Sequence, residues 1–146
     1  MIEINIICAG VHGMKEDYFR AAESEYLKRI SRYAKVTVTE VGESDKDILT
    51  AVEKKKRFFT VALAVGGKEF SSATFASFLE EAANRSYPGI NFIIGSSLGF
   101  GKPVEDRADL LMSFSKMTFP HRMMRVILEE QIYRGFNILS GGKYDK

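Results

Sequence analysis

The hydrophobic positions along the chain follow two periods, which predict two kinds of element. Residues 2–9 are rich in isoleucine, which alternates with Glu3 and Asn5 in the first half of the segment. Residues 35–41 alternate polar with apolar side chains, and both patterns are typical of β-strands. Ala22, Tyr26 and Ile30 recur every four residues, which instead indicates one face of an amphipathic helix. The chain therefore combines strands with amphipathic helices.

Along the whole sequence these two patterns alternate, which favours the α/β fold class, with a mostly parallel sheet flanked by helices. No repeat, low-complexity tract or interdomain linker interrupts the pattern, so residues 1–146 are expected to form a single domain. Strands are predicted over residues 2–9, 35–41, 59–65, 90–94 and 109–113. Helices are predicted over residues 14–33, 44–57, 71–84, 102–108 and 120–139.

The composition is that of an ordinary globular protein and limits the classes of function. Hydrophobic residues make up 45% and charged residues 27% of the chain, and no apolar run is long enough to span a membrane. Cys8 is the single cysteine, and no Cys/His cluster is present, so neither an internal disulfide nor a metal site is expected. This pattern favours a reducing, cytoplasmic location. A net charge of +2 permits nucleic-acid binding without requiring it.

Three predicted loops should lie at the carboxyl ends of the strands, where parallel sheets bind ligands. They are Gly66-Gly67, residues 95–101 and residues 115–119. Glycine lets the backbone approach a ligand closely, so backbone groups can form the recognition surface. The spacing of Gly95, Gly99 and Gly101 fits neither a P-loop nor a dinucleotide-binding fingerprint. From the glycines alone, a plain strand-to-helix turn and a ligand loop are equally good interpretations.

The segment from Phe114 to His121 is more informative. A simple helix entry explains Pro120, and Thr118 as a cap, but not the neighbouring aromatic and methionine side chains. His121 is a candidate general base or RNA contact because imidazole titrates near neutral pH. The alternative for His121 is a first-turn histidine that bonds to the backbone.

The predicted last helix carries charges on one face and apolar residues around most of its girth. Arg122, Arg125 and Glu129 share a face, for which the default expectation is a solvent-exposed, ion-paired surface. The apolar residues cover more than one stripe, which predicts burial on two sides. A twofold-related partner subunit would supply the second side. A helix enclosed within one chain is the alternative.

Three stretches together resemble the bacterial ribosomal RNA large subunit methyltransferase H family, the minimal group of the SPOUT methyltransferases. They are residues 92–100, residues 111–121 with the sequence Ser-Lys-Met-Thr-Phe-Pro-His, and residues 125–134 with Glu-Glu-Gln-Ile-Tyr-Arg. The second and third stretches are highly specific, and the resemblance extends over almost the whole chain. It implies a trefoil knot in the C-terminal part of the sheet, an exception to the usual absence of knots.

The resemblance also implies the reaction and its participants. The expected activity is methylation of N3 of a pseudouridine in 23S ribosomal RNA within the assembled ribosome, with S-adenosylmethionine as methyl donor. The expected assembly is a homodimer in which each site is completed by the other subunit's C-terminal tail. The implied cofactor contacts are Leu63, Gly95, Phe114, Ser115, Lys116, Met117, Thr118 and Phe119.

Roles in catalysis and RNA binding are expected for polar residues of the last helix and the tail. His121 and Glu130 are candidate bases for the N3 proton, and Arg134 and Tyr144 complete the expected catalytic group. The expected substrate contacts are Arg125, Tyr144 and Lys146, through phosphate, a base edge or stacking.

Two positions depart from the family pattern. Ser96 replaces the second glycine of the loop, and Asp145 replaces the usual tail histidine. The altered tail leaves two alternatives open: a SPOUT methyltransferase that acts on another RNA, such as tRNA, and a non-catalytic dimeric module that binds ribosomes.

Overall fold

The computed structural model describes residues 1–10 and 13–145, so the predicted substrate contact Lys146 lies outside the described residues. Five strands and five helices alternate within these residues. The strands are β1 (Glu3–Ala9), β2 (Lys35–Val41), β3 (Phe59–Glu69), β4 (Gly89–Ile94) and β5 (Leu110–Ser113). The helices are α1 (Asp17–Ile30), α2 (Asp45–Glu53), α3 (Ser72–Asn84), α4 (Lys102–Arg107) and α5 (His121–Leu139).

The strands form one sheet in the order β2-β1-β4-β3-β5, and all of its pairs are parallel. The predicted α/β class with a parallel sheet flanked by helices is therefore confirmed. Side chains of one strand enter two different cores, as Ile6 and Ile7 of β1 do, because helices cover both faces of the sheet. Helices α1, α3 and α5 cover one face, while α2 and α4 cover the other. Burial on both faces explains why the central strands are largely apolar.

A row of polar side chains crosses the interior of the sheet. Asn5 of β1 donates to Asn91 of β4 at 3.0 Å, and both side chains are buried. Asn91 donates onward to Thr60 of β3 at 3.2 Å, while Thr39 of β2 donates to Asn5 at 2.8 Å. Each buried amide therefore has partners, and side-chain hydrogen bonds link four neighbouring strands.

Strand β3 is longer than predicted. The prediction ended this strand at the glycine pair, yet it continues to Glu69. Leu63 and Lys68 both lie opposite Met112, so the intervening residues bulge out of the ladder. A Cβ atom on Gly67 would come within 2.7 Å of the Leu111 carbonyl carbon. Gly67 therefore allows β3 to pack closely against β5, and it does not end the strand.

Helix α5 is enclosed by its own chain. It packs against α1 on one side and α3 on the other. A Cβ atom on Gly135 would come within 2.7 Å of the Leu79 side chain, so α3 and α5 lie close together. Burial on two sides thus arises within one chain, and the apolar girth of α5 does not require a partner. Thr118 does not cap this helix: Pro120 occupies the N-cap position without a side-chain hydrogen bond. No helix among the described residues is both long and apolar enough to cross a membrane.

Candidate active site

A cavity of about 670 Å³ opens where β3, β4 and β5 end. Its walls come from three segments: the bulge of β3 after Leu63, the glycine loop 95–101, and residues 112–121. These are the loops that parallel strands bring together at one edge of a sheet. The cavity is large enough for a nucleoside-sized ligand, because binding sites for small molecules commonly span about 300–1,000 Å³.

Seven of the eight predicted cofactor residues line this cavity. Leu63 is buried in its wall, whereas Met117 is 73% exposed and lies at its mouth. Lys116 is exposed and is not among the lining residues. The lining members are Leu63, Gly95, Phe114, Ser115, Met117, Thr118 and Phe119.

Local hydrogen bonds fix the loop after β5. The Ser113 hydroxyl donates to the Ser115 carbonyl at 2.8 Å and accepts from the Ser115 amide at 3.2 Å. The Ser115 hydroxyl in turn accepts from the Met117 amide at 2.9 Å. Such short side-chain-to-backbone bonds replace ladder bonds in turns. They present the backbone of residues 114–119 to the cavity in a defined conformation.

The glycine loop is equally constrained. Gly99 has a φ of +75°, a conformation that side chains rarely adopt, and its amide donates to the Ser96 carbonyl at 2.8 Å. The Asp45 carboxylate accepts from the Gly101 amide, with 3.1 Å to each oxygen. A Cβ atom on Gly95 would lie 3.0 Å from the Phe100 ring. Gly95 is therefore needed for the loop to close on itself.

The cavity carries little charge. Among its lining residues only Glu105 and His121 are titratable. Burial and the neighbouring Arg122 guanidinium lower the pKa of His121 below its usual value, although Glu16 opposes the shift. The imidazole is therefore neutral at neutral pH and can accept a proton.

Three buried polar atoms at and beside this histidine find no hydrogen-bond partner in the part of the chain that the structure describes: His121 Nε2, Glu16 Oε2 and Arg122 Nε. Arg122 Nε lies 3.8 Å from Glu16 Oε2, too far for a hydrogen bond. Buried polar groups are normally satisfied, so an unsatisfied cluster marks a place where a ligand or water completes the bonding.

Arg125 is not among the residues that line the cavity. It is 5% exposed, and its guanidinium donates to Glu23 at 2.5 and 2.7 Å and to Glu40 at 2.8 Å. These carboxylates hold the pKa of Arg125 above its usual value although burial opposes it. The predicted exposed, ion-paired face of α5 is therefore wrong at this position, and the predicted contact with RNA is not compatible with the ion pairs that Arg125 makes.

Glu129 lies in the same buried cluster, which the sequence analysis did not identify. It is fully buried, and among the described residues no donor group reaches either carboxyl oxygen. Burial, followed by the adjacent Glu23 carboxylate, raises its pKa to about 10, although Arg125 opposes the shift. Burial likewise raises the pKa of the nearby Cys8 thiol to about 12. Glu129 is therefore protonated at neutral pH.

The remaining predicted catalytic residues meet around one carboxylate. Glu130 accepts from the Tyr144 hydroxyl at 2.7 Å and from Arg134 Nη2 at 2.7 Å. Arg134 also donates to Asp145 at 2.9 Å and lies over the Tyr144 ring, 4.7 Å from its centroid. The hydrogen bond to Glu130 raises the pKa of Arg134 above its usual value. Burial, together with the hydrogen bond to Glu130, raises the pKa of Tyr144. The chain's own tail is thus folded onto α5.

Glu130, Arg134, Tyr144 and Asp145 form what we call the tail cluster. Within one chain this cluster does not reach the cavity. His121 begins α5, and Glu130 lies nine residues further along the helix, which corresponds to about 13 Å. None of the lining residues belongs to the tail. The described residues also contain no group of three or more His, Cys, Asp or Glu side chains that could hold a metal ion.

Comparisons with known proteins agree on one family. The profile of the family described as "Predicted SPOUT methyltransferase" matches residues 2–145. A protein of Caldicellulosiruptor bescii named "Ribosomal RNA large subunit methyltransferase H" is 45% identical, over 98% of this chain and 99% of its own length. Proteins of the same name from Clostridium beijerinckii and Streptococcus pyogenes are 39% and 37% identical, over 98% and 99% of this chain and the full length of each relative.

Proposed function

The chain belongs to the SPOUT methyltransferase family, and on that premise we propose that it methylates N3 of a pseudouridine in 23S ribosomal RNA within the assembled ribosome. One observation carries the proposal: seven residues that the resemblance assigns to cofactor binding, from three separate segments, line a single cavity. The relatives that share nearly the full length are named for methylation of large-subunit ribosomal RNA. The proposal treats residues 1–146 as one domain acting in the cytoplasm, where ribosomes are found.

The cavity suits S-adenosylmethionine. The backbone of residues 114–119 and the glycine loop offer amide and carbonyl groups to the adenosine and methionine ends, without opposing charges. Met112, Met117 and Met124 contribute polarisable sulfur to the lining, and Glu105 contributes its one carboxylate. The donor supplies an activated methyl group, so no metal ion is required for the transfer.

The transfer forms a bond from N3 to the methyl carbon while the bond from sulfur to that carbon breaks, and the N3 proton must leave. We assign its acceptance to His121, whose imidazole is neutral and lines the cavity. Glu130 is less suited, because Arg134 and Tyr144 already occupy its carboxylate. Glu130 and Arg134 then position Tyr144, whose ring can stack on the target base.

A homodimer and a knot complete the proposal. The tail cluster is remote from the cavity of its own chain, so a second copy is needed to bring Tyr144 to the methyl donor. Leu98 in the glycine loop and Met117 in the cavity lining are 85% and 73% exposed, and exposed apolar side chains are typical of surfaces that a partner covers. The trefoil knot expected for the family would hold residues 114–119 in place around the cofactor.

The direct test combines binding with transfer. Titration calorimetry should show saturable binding of S-adenosylmethionine. Labelled methyl groups should pass to ribosomes from a strain that lacks this protein, and not to free tRNA. Mass spectrometry of the ribosomal RNA should then locate the new methyl group on a pseudouridine. Labelling of tRNA alone would contradict the proposal, and an absence of cofactor binding would indicate a non-catalytic module.

A further inference from the structure

A second cavity, of about 270 Å³, adjoins the cofactor cavity. The two share Met112, Ser113, Phe114 and Phe119, so they meet along the end of β5 and the loop that follows it. We call the second one the base cavity. Its other lining residues are Phe70, Ser71, Ser72, Phe75, Ile127 and Gln131.

The base cavity has aromatic walls and a narrow polar edge. The walls include four phenylalanine rings, and planar bases stack on aromatic faces in many RNA complexes. The edge consists of one amide and three serine hydroxyls, those of Ser71, Ser72 and Ser113, which form hydrogen bonds without adding charge. This composition fits a neutral, planar, hydrogen-bonding ring better than a phosphate or an aliphatic side chain.

The amide at this edge is held in a fixed orientation. Gln131 Oε1 accepts from the Ser72 hydroxyl at 2.8 Å, and its Nε2 donates to Glu130 Oε1 at 2.8 Å. An amide oxygen has a second lone pair and the nitrogen has a second hydrogen, so one acceptor and one donor remain available. The fixed donor to Glu130 also connects this edge to the carboxylate that binds Arg134 and Tyr144.

We propose that the base cavity receives the target pyrimidine and that Gln131, held by Ser72, distinguishes pseudouridine from uridine. This inference rests on the function proposed above. Pseudouridine is joined to its sugar through carbon, so it carries an N1–H that uridine lacks. Gln131 Oε1 accepts from N1–H while Nε2 donates to the neighbouring O2, which leaves N3 free to receive the methyl group. Uridine has no N1–H, and its one ring N–H is at N3, the nitrogen that must receive the methyl group. In the reactive orientation the Gln131 carbonyl therefore lacks this partner when uridine is bound.

The competing occupant is the tail of a partner subunit, whose tyrosine could also enter an aromatic cavity. Tyr144 already has a complete set of partners in its own chain: Glu130 at 2.7 Å, the Arg134 guanidinium, and the Tyr133 ring with centroids 4.8 Å apart. A tyrosine ring has no paired donor and acceptor to bond with the free groups of Gln131. A base that carries a donor beside an acceptor can bond to both of them. The observations therefore favour the base.

The test compares Gln131→Leu and Ser72→Ala with the wild-type protein and with Ser77→Ala as a control. Ser77 is exposed on the same helix as Ser72 and bonds only to the helix backbone. Each protein is given ribosomes with pseudouridine or with uridine at the target, the latter from a strain without the pseudouridine-forming enzyme. Calorimetry with S-adenosylmethionine checks that the cofactor cavity remains intact.

We expect Gln131→Leu to slow methylation of pseudouridine ribosomes about tenfold or more and that of uridine ribosomes much less, because uridine loses only the bond from Nε2 to its carbonyl oxygen. Ser72→Ala should cause a smaller loss of the same kind, and Ser77→Ala none. Unchanged discrimination in Gln131→Leu would overturn the inference, as would a parallel loss of cofactor affinity. An equal loss on both kinds of ribosome would assign the cavity to the partner's tail. If the wild-type protein methylated neither kind, the proposed function itself would fail, and this inference with it.

Discussion

Replacing Glu129 with glutamine should stabilise the protein, and increasingly so as the pH rises. Glutamine has nearly the shape of a protonated glutamate and carries no charge. Glu129 is fully buried, and no donor group among the described residues reaches its carboxyl oxygens, so its ionised form is disfavoured in the folded state. The unfolded chain has no such restriction and releases the proton at the ordinary pKa.

The magnitude follows from the two pKa values. The folded-state pKa is about 10 against 4.5 for the unconstrained group. A folded pKa above the unfolded one means that the folded state binds more protons, so the free energy of unfolding falls between these two pH values. The loss is about 1.4 kcal/mol per pH unit, or about 3 kcal/mol by pH 7. Glu23 contributes in the opposite direction but at lower pH. Burial raises its pKa, yet the hydrogen bonds it accepts from Arg125 lower the pKa below the usual value. Its contribution to stability is therefore lost only as the pH falls below the ordinary carboxyl pKa, outside the range over which Glu129 acts.

Urea denaturation across the weakly acidic to weakly alkaline range measures this effect. The wild-type midpoint should decline with pH, while the Glu129→Gln midpoint should stay nearly level, so the two curves diverge. Glu80→Gln, at an exposed position on α3, is the control and should follow the wild type. Parallel curves for wild type and Glu129→Gln would show that Glu129 does not hold a proton in the folded state.

Three further predictions concern the active site. Deletion of residues 144–146 should leave the affinity for S-adenosylmethionine within about twofold but stop methyl transfer, because in the proposed dimer the tail of the second copy reaches the donor; full transfer by the truncated protein would remove the tail from the mechanism. Gly95→Arg should abolish cofactor binding in calorimetry, because even a Cβ atom would press on the Phe100 ring at 3.0 Å, and an unchanged dissociation constant would refute the placement of the site. His121→Gln should lower kcat about 100-fold or more. In the wild type the rate should rise with pH and level off below the usual histidine pKa, because the pKa of His121 is lowered, and the variant should lack this rise. A rise of the rate with pH that persists in the variant would show that another group is the base.

Local patterns in the sequence predicted the strands, the helices and the loops that line the cavity well. Leu63 lies near the end of one predicted strand, while Gly95 and Phe114 directly follow two others. Parallel strands place their carboxyl ends at one edge, so the meeting of these residues could be foreseen. The resemblance added the chemistry that periodicity lacks. The resemblance also assigned every residue from 114 to 119 to cofactor binding. This assignment included Lys116, although Lys116 does not line the cavity.

The environment of α5 could not be predicted in the same way. Arg125 bonds to Glu23 and Glu40, which precede it by 102 and 85 residues, and no local pattern reveals partners that distant. Spacing alone placed Arg125 and Glu129 on one face but could not show that α1 covers it. A charged face on a surface helix is usually solvated, and here it is buried because two other acidic groups reach the guanidinium.

The strand order has a consequence for how the chain is made. Strand β3 pairs only with β4 and β5, and both follow it in the chain. During synthesis from the N-terminus, β1 and β2 can pair early, but β3 must wait for residues 89–94 to leave the ribosomal tunnel. Asn5 and Thr60 likewise have no shared partner until Asn91 emerges. The nascent polypeptide therefore carries an unpaired apolar segment for the translation of some twenty codons, an interval in which chaperones at the tunnel exit would find it accessible.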